Sequence, residues 1–190
     1  LSKILFLMFC KKLMELEKKY IQKINISHRK KFAQFFTPET IADLMADWLI
    51  GNKKIKTVLE PAFGLGIFSR NLIKKKPTLN IKGFDIDKTI FKEAQSFFNT
   101  NSNVSLNLED YMFNDWSNKY DGIICNPPYF KFHDYDNKSI LKEIENRLNF
   151  KFNGFTNLYT LFLLKSIYQL APNGRMAYLI PSEFLNSDYG

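Results

Sequence analysis

The chain reads as an α/β protein built on a doubly wound, mostly parallel sheet, and three observations lead there. Short apolar runs alternate with helix-periodic ones between residues 57 and 180, and the turn Gly64-Leu65-Gly66 follows the first of those runs. The residues with chemical potential fall where the strands end. Strands joined through helices run parallel, and the ligands of such sheets bind beyond the carboxyl ends of the strands.

The N-terminal stretch LSKILFLMFCKK has an apolar run too short to span a bilayer. Lysines follow it where the small residues of a signal cleavage site would stand, so no leader and no membrane partner is read. Ile4 to Ile24 is expected to be a helix with an apolar face, packed on the domain or on a partner. Residues 1–30 are therefore read as a helical extension, and 31–190 as one domain.

In TPETIADLMADWLI, Thr37 is expected to cap a helix and Pro38 to open it, with Ile41, Leu44, Met45, Trp48 and Leu49 on the apolar face. A short strand follows at Thr57–Leu59, then the glycine turn and a helix to about Lys75. NIKGFD (80–85) is the second strand and leads into a helix from Lys88 to Phe98; VSLNL (104–108) and YDGIIC (120–125) are the third and fourth strands. The polar and aromatic segment 130–157 is expected to be a partly disordered lid with a helix at Ser139–Leu148. NLYTLFLLKSIYQL is the next helix, and Pro172-Asn173-Gly174 turns the chain into a fifth strand, RMAYLI (175–180).

A chain of 190 residues that is 45% hydrophobic buries the core of one globular domain. The net charge of +8 favours a polyanionic partner. Lysine far outnumbers arginine and asparagine is plentiful, as AT-rich coding also produces, so charge alone is weak support. Aromatic residues argue against disorder and offer rings that stack on bases. Cys10 and Cys125 form no CxxC or Cys/His cluster, so no metal site or disulfide framework is expected and a reducing cytoplasm fits. Cys125 is read as a core residue, His28 and His133 as surface residues, and Lys74 to Lys76 as a solvated helix end. Leu1 is not an initiator methionine and SEFLNSDYG stops as an element begins, so the chain reads as a fragment.

Glu60 closes the first strand with a carboxylate, and Asp85 closes the second where a ribose-binding acid is expected. Ser69 and Arg70 stand near the place of the third glycine of a dinucleotide fingerprint, and Glu60 would repel a pyrophosphate, so a cationic ligand fits better. The stretch DGIICNPPYF then runs from a strand into Asn126-Pro127-Pro128-Tyr129. Two prolines remove two backbone donors and stiffen the chain, leaving a rigid edge of acceptors beside one amide and one ring. That edge suits a flat substrate bearing an NH2 group.

Together E-P-A-F-G-L-G, F-D-I-D and N-P-P-Y resemble the S-adenosylmethionine-dependent amino-methyltransferases. With QFFTP (Gln34–Pro38) upstream of the glycine turn, the arrangement resembles the γ class of N6-adenine DNA methyltransferases from restriction-modification systems. The resemblance covers Lys31 to Gly190. It implies a Rossmann-like class I methyltransferase fold, S-adenosylmethionine as cofactor, double-stranded DNA as substrate, and a separate DNA-recognition domain or subunit.

Carried onto this chain, the resemblance has Thr37 and Pro38 contact the methionine end of the cofactor, and Glu60, Ala62, Gly64 and Gly66 shape the pocket near its amino group. Asp85 would bind both ribose hydroxyls and Ile86 the adenine ring; Asp110 would accept from the exocyclic amine, with Tyr111 beside the ring. Phe63 stands where the family often has cysteine or another small residue, which alters that wall. Asn126 Oδ1 and the Pro127 carbonyl would accept both hydrogens of the target amine, Pro128 would stiffen the edge and Tyr129 would stack on a flipped base. No metal is needed. Protein-glutamine methyltransferases acting on release factors share NPPY but generally lack QFFTP. A cofactor-binding core dependent on another segment, and cytosine N4 as target, stay open at this point.

Overall fold

The computed structural model describes residues 15–129, 137–149, 151 and 157–182. Five parallel strands form the sheet: β1 (Thr57–Glu60), β2 (Asn80–Asp85), β3 (Val104–Leu108), β4 (Tyr120–Cys125) and β5 (Leu170–Tyr178). Their order is β3-β2-β1-β4-β5. The chain winds outward from β1 to β3, then crosses over to β4 and β5. The reversal between β1 and β4 opens a crevice at their carboxyl ends, and the site is found there.

Around the sheet lie α1 (Glu15–Lys23), α2 (Ile26–Lys31), α3 (Glu39–Ile50), α4 (Ile67–Lys75), α5 (Lys88–Phe98), α6 (Asn137–Leu148) and α7 (Leu158–Gln169). Alternation along the strands sends neighbouring residues to opposite faces. Leu59 and Ile123 meet α6 and α7 through Ile140, Ile144, Leu158, Leu161 and Phe162. Val58 and Ile124 meet α3 and α4 through Ala42, Ala46, Leu49, Phe68 and Leu72. The central strands are buried on both faces and so read as continuous apolar runs, whereas the edge strand β3 has no fully buried residue.

Five expectations are revised by packing. Pro38, with φ −59° and ψ 142°, takes the N-cap position of α3, and the helix starts at Glu39; the Thr37 hydroxyl faces Asn126 instead of capping. The buried stripe of α3 is Ala42, Ala46 and Leu49, while Leu44 and Trp48 are 67% and 58% exposed. Small alanines let α3 lie close on the sheet, which rotates the bulky residues outward. Trp48 is covered in part by the Arg175 guanidinium, 4.6 Å from its ring centroid.

The strand β5 begins directly after α7, at Leu170, and Pro172-Asn173-Gly174 is a bulge inside it. Leu170 pairs with Tyr120, but Arg175 is the partner of Gly122. Asn173 takes φ 62° to make the bend. Nor is His28 free on the surface: its Nε2 lies 2.7 Å from Oδ2 of the buried Asp87. Lys75 pairs with Asp43 and Asp47 of α3, and Lys76 donates to the Ile55 carbonyl, so two of the three lysines tie elements together.

The described N-terminal helix packs on the domain. Tyr20 of α1 is buried against Leu65 and Ile90. The helix expected in the lid segment is present as α6, and its Ile140 and Ile144 are fully buried. Residues 1–14, 130–136, 150, 152–156 and 183–190 lie outside the described residues, and with them most of the lid expectation.

Candidate active site

A cavity opens at the carboxyl ends of β1, β2 and β4. Its walls are the segment 32–37 before α3, the turn after β1, the end of β2, residues 109–111 after β3, and Asn126 with Pro128 after β4. Most of the expected site residues border it: Thr37, Glu60, Ala62, Gly64, Asp85, Ile86, Asp110, Tyr111, Asn126 and Pro128.

Glu60 is 1% exposed. Its Oε2 accepts from the Ser69 backbone N–H at 3.1 Å and from the Ser69 hydroxyl. Its Oε1 is buried without a hydrogen-bond partner among the described residues. Burial pushes the carboxyl up from 4.5 to about 8, against the pull of the Ser69 donors. Such a group is completed by a cation or an N–H donor.

Gly64 takes φ 55°, which aims its N–H at Asp85 Oδ2, 2.8 Å away. The Asp87 N–H donates to the other oxygen at 2.8 Å, so the Asp85 carboxylate is held from both sides. The Ile86 N–H bonds the same carboxylate, and of its four lone-pair positions one is left for a ligand hydroxyl. Desolvation raises the Asp85 carboxyl to about 6. Ile86, half-exposed beside it, supplies a flat apolar surface.

Gly66 does not border the cavity. It takes φ 69° at the start of α4, and a side chain there would collide with the Phe63 ring, as would one on Gly83. Phe63 itself packs against Phe98 and Ala94. The bulky residue in the turn therefore uses room left by two glycines, and its ring fills a core cluster.

Asp110 Oδ1 accepts from the Met112 N–H at 2.9 Å. Tyr111 is buried between Phe84 and Phe162, and its hydroxyl donates to Gln169 at 2.6 Å, so it borders the cavity from within the core. Beneath this loop lies Lys165 of α7, fully buried, whose Nζ donates to the carbonyls of Tyr111 and Asn114. The same Nζ stands 4.0 Å and 4.4 Å from the centroids of the Tyr111 and Trp116 rings. Burial lowers this amine from 10.5 to about 7. A lone lysine among apolar residues in LYTLFLLKSIYQ was the signal for it in the sequence.

At the end of β4, Asn126 Nδ2 donates to the Phe35 carbonyl at 3.0 Å and to Thr37 Oγ1 at 3.1 Å. Both amide hydrogens are consumed, which fixes the plane of the group and leaves Oδ1 as its acceptor. Oδ1 receives the Tyr129 hydroxyl at 2.7 Å, and the same hydroxyl lies 2.8 Å from the Leu179 carbonyl. Pro38, Pro127 and Tyr129 stand outside the cavity wall. Tyr129 meets the Phe35 ring edge-on at 5.9 Å, and that ring is 65% exposed. Phe35 and the bonds joining QFFTP to NPPY were not foreseen, because a separation of 89 residues carries no local signal.

The sheet order and the site define a Rossmann-like methyltransferase fold. A protein from Listeria monocytogenes described as a class I S-adenosylmethionine-dependent methyltransferase superposes with a TM-score of 0.64 at 19% identity, over 92% of this chain and 53% of that one. The type I restriction-modification methyltransferase subunit from Streptococcus thermophilus gives 0.68 at 23% identity, over 80% of this chain and 35% of that one. Residues 65–190 match the family described as Eco57I restriction-modification methylase, and the chain belongs to that family. The Type II methyltransferase M.AccI of Acinetobacter calcoaceticus is 67% identical over 175 residues, 92% of this chain and 32% of that protein. The chain thus spans about a third of the length of that relative. No helix among the described residues is long and apolar enough to cross a membrane.

Proposed function

We propose that the chain is the catalytic core of a restriction-modification DNA methyltransferase, acting on the N6 amine of an adenine flipped out of double-stranded DNA. The observation that carries this reading is the fixed Asn126 amide, its Oδ1 turned from the Phe35 and Thr37 acceptors, next to the Pro127-Pro128 edge and the Tyr129 ring. The cavity beside it fits S-adenosylmethionine. Glu60 Oε1 lacks a partner for which an ammonium is suited, Asp85 keeps acceptor capacity for the ribose, Ile86 offers a face to a purine, and Asp110 accepts from its amine. When bound, that cofactor supplies an electrophilic methyl group on a sulfonium.

Asn126 Oδ1 and the Pro127 carbonyl accept the two hydrogens of the target amine, which draws the nitrogen lone pair out of conjugation with the ring. The Tyr129 hydroxyl gives up Oδ1 as the amine arrives and turns to the Leu179 carbonyl, already within 2.8 Å. Its ring stacks on the base and favours the cationic transition state. The protein's part is orientation and electrostatics. The net charge of +8 suits a phosphate backbone. The Thr37–Asn126 bond ties the QFFTP element to the Asn126 amide, which favours DNA over a protein glutamine.

A core that binds cofactor but needs a further recognition domain or subunit to engage DNA is the second reading, favoured by the chain's covering about a third of its relative. The test is methyl transfer from labelled S-adenosylmethionine to unmethylated DNA, with a release factor in parallel and mass identification of the product. N6-methyladenine is expected. N4-methylcytosine or methylglutamine would overturn the adenine assignment, and bound cofactor without transfer would favour the second reading.

A further inference from the structure

One wall of the cavity comes from outside the sheet and its crossover helices. Glu17 of α1 borders it and is 1% exposed. One carboxylate oxygen, Oε1, accepts from Arg70 Nη2. The other, Oε2, is buried without a hydrogen-bond partner among the described residues. Glu60 borders the same cavity in the same condition, with Oε2 on Ser69 and Oε1 unpartnered. Ser69 and Arg70 are consecutive on α4, so adjacent residues of one helical turn hold the two carboxyl groups.

Arg70 donates to Glu17 and its charge also acts on Glu60, yet each acid keeps a buried acceptor with no donor while the Arg70 Nε–H, buried as well, reaches neither. Leaving such atoms unsatisfied is costly, and the cost is removed by a ligand that brings N–H groups and positive charge. An ammonium brings three donors and no acceptor. A sulfonium has no N–H to offer, so these lone pairs call for the amino group of the ligand. Asp85, Ile86 and Asp110 are assigned to its nucleoside.

We propose that Glu17 is a cofactor-binding residue: with Glu60 it forms a two-carboxylate seat for the α-ammonium of S-adenosylmethionine, making the N-terminal helix a wall of the site. This rests on the cofactor reading above. The helix is anchored for such a role. Tyr20, one turn on, is buried against Leu65 and Ile90. Beyond it, His28 and Gln34 both reach Asp87, whose own N–H holds Asp85. The competing role for Glu17 is solely to neutralise Arg70.

The two roles separate by calorimetric titration of the whole chain with S-adenosylmethionine, S-adenosylhomocysteine and 5′-methylthioadenosine. The third shares the adenosine and sulfur but lacks the amino-acid end. In Glu17→Gln, the affinities for the first two are expected to fall about tenfold or more, with methylthioadenosine within about twofold. Equal loss for all three, or no loss, would overturn the proposal. The double variant Glu17→Leu/Arg70→Leu removes the ion pair, and measured against Arg70→Leu alone, which carries any effect on Glu60, a further selective loss is expected. It decides the matter if Glu17→Gln does not fold. A wild-type chain that bound none of the three would defeat the cofactor reading itself; binding of all three with an unaltered Glu17→Gln would defeat only the role of Glu17.

Discussion

The two halves of the proposed site, one for the cofactor and one for the target base, are held by different means. On the cofactor side, the Asp85 carboxylate is positioned by backbone N–H groups from the glycine turn and from two residues along the chain. Glu60 is held by Ser69 in the first turn of the next helix. On the target side, Asn126 is oriented by Phe35 and Thr37, 91 and 89 residues away. Glu60 and Asp85 form a local device of one strand–turn–helix unit and the strand beside it. The target half exists only once the segment before α3 is laid across the end of β4. Substitutions should therefore separate binding from transfer according to which half they touch.

The largest expected effect is on the target side. Asn126→Ala should lower methyl transfer by about 10²-fold or more while S-adenosylmethionine affinity stays within about threefold. Single-turnover kinetics beside calorimetry would read both, and retained transfer would overturn the role of the Asn126 amide. Glu60→Gln should do the reverse, weakening cofactor binding about tenfold with less effect on the transfer step of the saturated protein.

Glu60 also sharpens the cofactor half through pH. Its folded pKa of about 8 lies above the ordinary 4.5, so without ligand the folded chain binds more protons there than the unfolded one. Stability should fall as pH rises between those values, and cofactor affinity should climb as the carboxyl ionises. Both slopes should flatten in Glu60→Gln, measured by melting and titration across that range.

Thr37→Val should be milder. It removes one acceptor from the Asn126 amide and leaves the Phe35 carbonyl in place, so kcat should drop about five- to tenfold with little change in cofactor KM. An equal effect on both constants would mean that Thr37 serves chiefly the cofactor.

The smallest effect belongs to Lys165, which touches neither half directly. Its amine is lowered from 10.5 to about 7, so the unfolded chain binds the extra proton between those values and stability should rise with pH there. Lys165→Met should lose that rise and raise the cofactor KM a few-fold through the loosened Asp110 loop. Melting temperatures across the window, compared with wild type, check it.

By itself the sequence determined what is local. The alternation of apolar runs set a parallel sheet, with the bounds of β2, β3, β4 and α5 legible from side-chain period and punctuation. The strand-end acids and the NPPY edge were legible because a strand, a turn and a helix start carry their chemistry in adjacent residues. Tertiary structure decided the rest. Which stripe of α3 is buried depended on how closely its alanines approach the sheet, so Leu44 and Trp48 lie outward. Thr37 served Asn126 because the segment before α3 ends where β4 ends. Glu17 reached the cavity because α1 packs on the glycine turn, and Lys165 acts through carbonyls more than fifty residues distant in the chain. These are long-range pairings between common residue types, and only the folded backbone distinguishes a partner from a bystander.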